Sequence, residues 1–315
     1  MNIKTKLKKT FLYEAYLGWR TKRKTKRLSK LSDRENIENA WEKEFGRKID
    51  LDDPKTLDEK IQWLKLHDRK DIYTVWADKY ACRDYIKEHF GEEYLVPLLF
   101  VTSNPKEINT KNIKEFPCVV KPNNSSGRYE FIRDPSKTKW PLLRYRCKQW
   151  LKVDYYQLSQ EWQYKNIDRK IVVEKMLLDK NGHIPNDYKL HFIEGKLVFV
   201  YCSIDRESAN YRQIYSPEWE LLEFTWDSAG LPLADKNPIA KPASFDKMLE
   251  IGSAIAKGMH YVRVDFYDVD GKLYCGEITL HHGGGTDKFV PEKYDLIYGE
   301  MVQLDLKKSH EVRPK

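Results

Sequence analysis

Between residues 36 and 66 apolar positions recur at helical spacing, and Thr56-Leu-Asp-Glu59 reads as a capping box opening Glu59-Lys-Ile-Gln-Trp-Leu-Lys-Leu66. A threonine oxygen and a glutamate carboxylate three residues on can each satisfy an N–H at a helix start. Further helices are expected over roughly 77–90 and 244–258. From residue 116 the texture turns to strands. Phe116-Pro-Cys-Val-Val-Lys121 and Lys170-Ile-Val-Val-Glu174 are short apolar runs that end on a charge. Gly195-Lys-Leu-Val-Phe-Val-Tyr201, Tyr261-Val-Arg-Val-Asp-Phe266 and Lys272-Leu-Tyr-Cys-Gly-Glu-Ile278 continue the series, with Gly182, Gly195 and Asp270-Gly271 as turns between them. No internal repeat is visible. At the N-terminus, residues 1–31 intersperse cations with Leu7, Phe11, Leu12, Tyr13, Tyr16, Leu17 and Trp19, followed by Arg20-Thr-Lys-Arg-Lys-Thr-Lys-Arg27. Wound as a helix, this segment is expected to gather apolar residues on one side and lysines on the other.

Composition changes this picture in one respect. The 315 residues suffice for two or three lobes, and 20 Tyr, 12 Phe and 9 Trp supply apolar surface to bury. The formal charge of +8 suggests nucleic acid until it is located. Residues 1–30 hold eleven Lys or Arg and one Glu, a net of +10, which leaves the rest at −2. Basicity therefore belongs to an arm, suited to an anionic lipid surface or simply a solvated tail, with nucleic acid the weaker reading. The segment 138–165 interleaves aromatics and cations, which could stack bases, but it reads more simply as a partly buried lobe surface. Five scattered cysteines, Cys82, Cys118, Cys147, Cys202 and Cys275, have no paired spacing, so reduced thiols in the cytosol are expected. No run approaches the ~18 apolar residues of a membrane span.

Candidate chemistry concentrates at two places. In Arg263-Val-Asp265-Phe the arginine and aspartate share a face of one strand, because side chains alternate. If the strand after Asp270-Gly271 folds back, Glu277 lies near Asp265, and a hard divalent cation relieves the repulsion between the carboxylates. The glycines after His281 and His282, Gly283-Gly-Gly285, let backbone approach a ligand and offer N–H groups to negative charge. A plain hairpin with solvated acids remains the alternative. Lys121-Pro-Asn-Asn-Ser125-Ser126-Gly127 sets a lysine at a strand end before a small-residue turn, a cradle for polyphosphate that is not the Walker pattern.

In order, these segments resemble the ATP-grasp superfamily. Asp78-Lys79 with Arg83, then Leu95-Val-Pro97, resembles the approach to the nucleotide fold of D-alanine–D-alanine ligases. Lys121 to Gly127 resembles their phosphate-covering strand and loop, and Arg263-Val-Asp265 with Glu277-Ile-Thr279 their metal segment. Thr279 stands where that family usually has Asn, and His282 where it has Pro. The TupA-like ATP-grasp branch, named for teichuronopeptide biosynthesis, is similar over about residues 40–303. The match runs through Pro54-Lys-Thr-Leu-Asp-Glu-Lys60, Glu161-Trp-Gln-Tyr164, Asp187-Tyr-Lys189 and Gly276-Glu-Ile-Thr279, where threonine is usual. Asn123-Asn-Ser-Ser-Gly127 departs from its histidine-containing loop.

The resemblance implies an α+β ATP-grasp fold, two lobes with nucleotide between them, preceded by a short helical region. Its divisions would be a basic amphipathic arm over 1–35, the helical region over 36–115, and lobes over 116–185 and 186–315. It implies ATP held by Lys79, Lys121, Ser125, Ser126, Gly127, Glu174 and Asp187, and Mg2+ by Asp265, Glu277 and Thr279. Arg263, Gly283 and Lys189 would be catalytic, with Arg206, His281 and His282 at the acceptor. The implied reaction phosphorylates a carboxylate, which an amine then attacks. The carboxylate would be a uronic acid of a surface polysaccharide and the amine an amino acid, with no nucleic acid involved. The site would be cytoplasmic, at the inner membrane face if the arm binds lipid. A kinase acting on a glycan hydroxyl and a non-catalytic glycan-binding protein are the alternatives.

Overall fold

The computed structural model describes residues 10–205, 207, 210–227 and 237–306. They fall into two units, each built from separated pieces of chain.

The first unit takes residues up to 32, with 74–85 and 96–176. Its sheet consists of β1 (Leu98–Thr102), β2 (Cys118–Pro122), β3 (Glu130–Ile132) and β4 (Ile171–Lys175), antiparallel in the order β1-β4-β2-β3. Cys118 and Val120 face a core with Ile132, Ile171 and Val173, closed by Leu143, Cys147 and Trp150 of the helix Trp140–Trp150. Alternation along β2 therefore puts Lys121 on the face away from that core. The arm residues that are described form a helix, Phe11–Leu28, capped by Thr10. Asp78 accepts the Tyr80 N–H at 2.8 Å, and this Asx turn delays the helix expected over 77–90 to Cys82–His89, after a separate helix at Asp71–Ala77.

The second unit takes 33–73, 86–95 and the described residues from 177 onward. The helical stretch expected over 36–66 is two helices, Asp33–Phe45 and Leu57–His67. Gly46, in the left-handed region at φ 69°, ends the first. The capping box at Thr56 starts the second, with the Glu59 N–H donating to Thr56 Oγ1 at 3.3 Å and the Thr56 N–H to Glu59 Oε2 at 3.2 Å.

Six antiparallel strands follow: β5 (Asp187–Ile193), β6 (Lys196–Ile204), β7 (Tyr211–Tyr215) and β8 (Leu221–Leu222), then β10 (Tyr261–Val269) and β11 (Lys272–Thr279). Their order is β11-β10-β5-β6-β7-β8, with β9 (Thr225–Asp227) and β12 (Lys288–Val290) paired apart. Helix Phe245–Ala256 lies close on one face, where a Cβ on Gly252 would meet the Phe192 ring at 2.6 Å. The opposite face buries Ile193, Phe199, Tyr201 and Tyr261 with Trp226, Phe289, Tyr298 and the Leu57–His67 helix. Among the described residues no helix is long and apolar enough to cross a membrane. All five cysteines are free thiols.

Candidate active site

Two polar constellations stand out, one in each unit. In the first unit, Lys121 Nζ lies 2.6 Å from Glu174 Oε2, and Arg83 Nη1 approaches the other oxygen at 3.4 Å. Arg83 is held in turn by the Val96 carbonyl at 2.8 Å. Val119 pairs with Glu174 across β2 and β4, so strand register brings the lysine and glutamate together. The turn after Lys121 is organised by Asn123, which is fully buried. Its amide donates to Asp78 Oδ1 and to the Asp168 carbonyl, both at 2.8 Å, and its oxygen accepts the Lys170 N–H at 2.7 Å. The Lys79 N–H donates to the Asn123 carbonyl at 3.2 Å. Lys79, Lys121 and the small-residue loop are thus tied to one another. Ser125 is buried, Ser126 is exposed, and Gly127 takes φ 70°, a conformation that favours glycine.

In the second unit the central strand is β10. Register sets Asp265 opposite Lys189 of β5 on one side and Glu277 of β11 on the other, and Arg263 opposite His191 and Thr279. Gly276 is the extra residue of a β-bulge beside this pair. A Cβ there would stand 3.2 Å from the Asp265 carbonyl and 2.9 Å from the Tyr267 ring. Arg263 grips Asp265 through Nε at 2.6 Å and Nη2 at 2.8 Å, a bidentate pair. Lys189 donates to Asp265 at 2.9 Å and also to Asp187. Burial alone would raise the Asp265 carboxyl, but Arg263 and then Lys189 hold it well below the usual carboxylate range. Glu277, more exposed at 26%, lies 3.9 Å from Arg263.

The far end of Arg263 donates from Nη1 to His282 Nδ1 at 2.8 Å, and His282 Nε2 is 3.3 Å from Asp287. An arginine donor requires a lone pair on Nδ1, which sets the proton on Nε2, facing Asp287. Burial, with Arg263 nearby, lowers the His282 pKa despite Asp287. His191 is pushed well below its ordinary value by burial and by His282 and Arg263, and its Nδ1 is 3.0 Å from the Tyr261 hydroxyl. Both rings are neutral at neutral pH.

Gly283, Gly284 and Gly285 all adopt left-handed φ, at 55°, 65° and 70°. A Cβ on Gly283 would stand 2.2 Å from the Asp287 carboxylate. The Leu57–His67 helix clamps this turn. Gln62 Nε2 donates to the Gly284 carbonyl at 2.9 Å and the Gly285 carbonyl at 2.6 Å, and the buried Lys65 ammonium donates to Gly284 at 2.9 Å. Behind it, Asp58 is fully buried; burial, then Asp295 and Asp287, raise its carboxyl well above the usual range. His281 is also buried, whereas Arg206 lies outside the described residues.

The carboxylates this unit could offer a divalent cation are Asp265 and Glu277. Among the described residues no group of three or more His, Cys, Asp and Glu could hold a metal, but Asp265 and Glu277 are directly apposed. Mg2+ commonly takes one or two carboxylates and completes its shell with water and substrate phosphates.

The structure thus brings together Arg263, Asp265, Glu277, Lys189 and Asp187, with His282 against the arginine, and in the other unit Lys121, Glu174 and the loop. Sequence reasoning missed His191, Asp287, Gln62, Lys65 and the bracing role of Asn123. The polar alternation Asp187, Lys189, His191 signals a strand with one charged face and could have found His191. Gln62 and Lys65 carry no local signal, since they meet the turn only through folding.

Several solved structures share similarity with the chain. The D-alanine–D-alanine ligase from Bacillus anthracis complexed with ATP is 14% identical, with a TM-score of 0.44, over 76% of this chain and 68% of that one. The corresponding ligase from Helicobacter pylori is 16% identical, with a TM-score of 0.41, over 82% and 69%. The ATP-grasp ligase PsnB, complexed with minimal precursor, Mg and ADP, is 12% identical, with a TM-score of 0.38, over 71% and 58%. No curated protein sequence matches the chain significantly. Residues 59–303 match the family described as TupA-like ATPgrasp, and the chain belongs to that family.

Proposed function

We propose that the chain is an ATP-dependent carboxylate–amine ligase that joins an amino acid to a uronic acid of a cell-surface polysaccharide through an acyl phosphate. The observation that carries this reading is Arg263, bound to Asp265 on one side and His282 on the other, beside a turn of three left-handed glycines. A ligase must stabilise negative charge twice, on the acyl phosphate and on the tetrahedral oxyanion. A fixed guanidinium and pre-formed backbone amides suit both, while a kinase has no second oxyanion to stabilise.

Lys79, Lys121, Ser125, Ser126 and Gly127 are assigned to the nucleotide phosphates, Glu174 and Asp187 to its base and ribose ends. Asp265, Glu277 and Thr279 would hold Mg2+, which when bound spreads charge off the transferring phosphoryl group. Lys189, shared between Asp187 and Asp265, orients the first carboxylate and can follow charge onto substrate. His282 works by holding Arg263, its neutral ring unsuited to donating a proton. His281 and Arg206 are assigned to the acceptor. The place of work is the inner face of the cell membrane, reached through the basic N-terminal segment.

The test incubates the protein with Mg-ATP, a uronate-bearing glycan or sugar nucleotide, and hydroxylamine in place of the amine. A hydroxamate with ADP is expected. Arg263→Ala lowers its formation about a hundredfold, from the loss of one oxyanion donor. A phosphorylated sugar hydroxyl without hydroxamate would transfer the assignment to a kinase.

A further inference from the structure

The N-terminal helix is not laid out as its sequence suggested. Its inward positions are Glu14, Leu17, Gly18, Thr21, Thr25 and Leu28, spaced as one helical face. They are docked within the first unit. Glu14 is buried and paired with Arg146 at 2.7 Å, and Arg146 also holds Glu130 of β3 at 2.7 Å. A Cβ on Gly18 would stand 2.7 Å from the Gln149 side chain, so the helices approach closely there. Phe11 meets Tyr145 edge to face at 5.6 Å.

The apolar residues are therefore divided between two faces. Leu12 is 84% exposed, Trp19 56%, Tyr16 52% and Phe11 50%. Leu12, Tyr16 and Trp19 follow at i, i+4 and i+7, Tyr16 stacks on Trp19, and Arg23 covers the Trp19 ring at 5.3 Å. From Arg20 to Arg27 the exposed positions are all cationic: Arg20, Lys22, Arg23, Lys24, Lys26 and Arg27. An aromatic stripe this open is unusual on a protein surface unless something covers it. Tyr and Trp beside a dense row of cations match the boundary of an anionic bilayer, where rings sit at headgroup depth and lysines meet phosphates.

We infer that Leu12, Tyr16 and Trp19, with the cations from Arg20 to Arg27, form an interfacial membrane-docking face on a helix fixed to the first unit. This deepens the proposed placement at the membrane but does not depend on the ligase reading. The helix Phe11–Leu28 is tied through Glu14, Arg146 and Glu130 to the sheet that carries Lys121. A membrane bound to it holds that sheet directly, with no flexible tether between.

The experiment is co-sedimentation of the full chain with vesicles of phosphatidylcholine, alone or mixed with phosphatidylglycerol. Binding to the mixed vesicles is expected to weaken with salt. Leu12→Asp combined with Trp19→Asp lowers it at least tenfold, with unchanged thermal midpoint and circular dichroism, because both side chains point to solvent. Replacing Lys22, Arg23, Lys26 and Arg27 with Gln lowers it comparably, and only the residual binding of this variant is insensitive to salt. Undiminished binding by the Leu12/Trp19 variant would overturn the proposal, as would failure of the full chain to bind mixed vesicles, and tight binding to single-stranded oligonucleotide in that case would reassign the face to nucleic acid. Vesicle binding needs no turnover, so failure to form ADP or hydroxamate in the same preparation bears only on the ligase reading.

Discussion

Replacing Asp265 with Asn removes one negative charge from a buried site that keeps two cations. The wild-type carboxylate is 4% exposed and accepts two bonds from Arg263 and one from Lys189. Arg263 and Lys189 outweigh burial and pull its pKa from the ordinary 3.8 down to about 2, which on a linkage scale corresponds to about 2 kcal/mol of folded-state stabilisation at neutral pH. The variant should lose at least this much. The loss should run toward ~3–5 kcal/mol if Glu277 and Asp187 do not compensate, since breaking a buried pair strands its partner. Urea unfolding at a series of pH values measures it. A depressed pKa contributes stability that is complete above the unfolded value and lost as pH falls through the folded one. The gap between wild type and variant should therefore be full above about pH 5 and shrink as pH falls from 4 toward 2. Mg-dependent ADP formation should be abolished at neutral pH even where the variant remains folded. A gap that is constant across this range would refute the reasoning, because it would mean Asp265 contributes by shape and not by charge.

Asp58→Asn should behave in the opposite way: burial keeps this carboxyl protonated, so the amide should cost less than ~1 kcal/mol, and its relative stability should improve as pH rises above 4, measured by the same unfolding series. Gln62→Ala strands the buried Gly285 carbonyl, while Gly284 keeps its bond from Lys65, a loss of ~1–3 kcal/mol; kcat for hydroxamate formation should fall with little change in the KM for ATP, and Gln62→Glu should not restore it. Gly283→Ala places a methyl into the Asp287 carboxylate at a left-handed φ, so binding of nucleotide, followed by calorimetry, should survive while ligation is lost. Lys121→Ala leaves Glu174 with only Arg83 and should weaken nucleotide affinity at least tenfold by the same calorimetry.

Much of this protein is local and could be read directly. A capping box is a contact between residues three apart, so Thr56 and Glu59 declared their helix start without help from the rest of the chain. The strands around Val119 and Val172 announced themselves as short apolar runs ending on a charge, those around Val264 and Leu273 continued the series, and Asp270-Gly271 marked the turn between them, so Asp265 and Glu277 could be placed side by side from sequence. Tertiary structure alone decided the rest. Gly46 breaks a helix that periodicity would continue and the Asx turn at Asp78 holds back the start of another, because one backbone dihedral or one side-chain bond outweighs a weak propensity. The amphipathicity of residues 11–28 gave the period but not the covered face, since Gly18 and Glu14 choose inward by shape and by the distant Arg146. Gln62 and Lys65 meet Gly284 from 219 or more residues away in sequence. Hydrogen bonds across such a separation arise from the packing of a helix against a turn, and no pattern within either segment encodes the other.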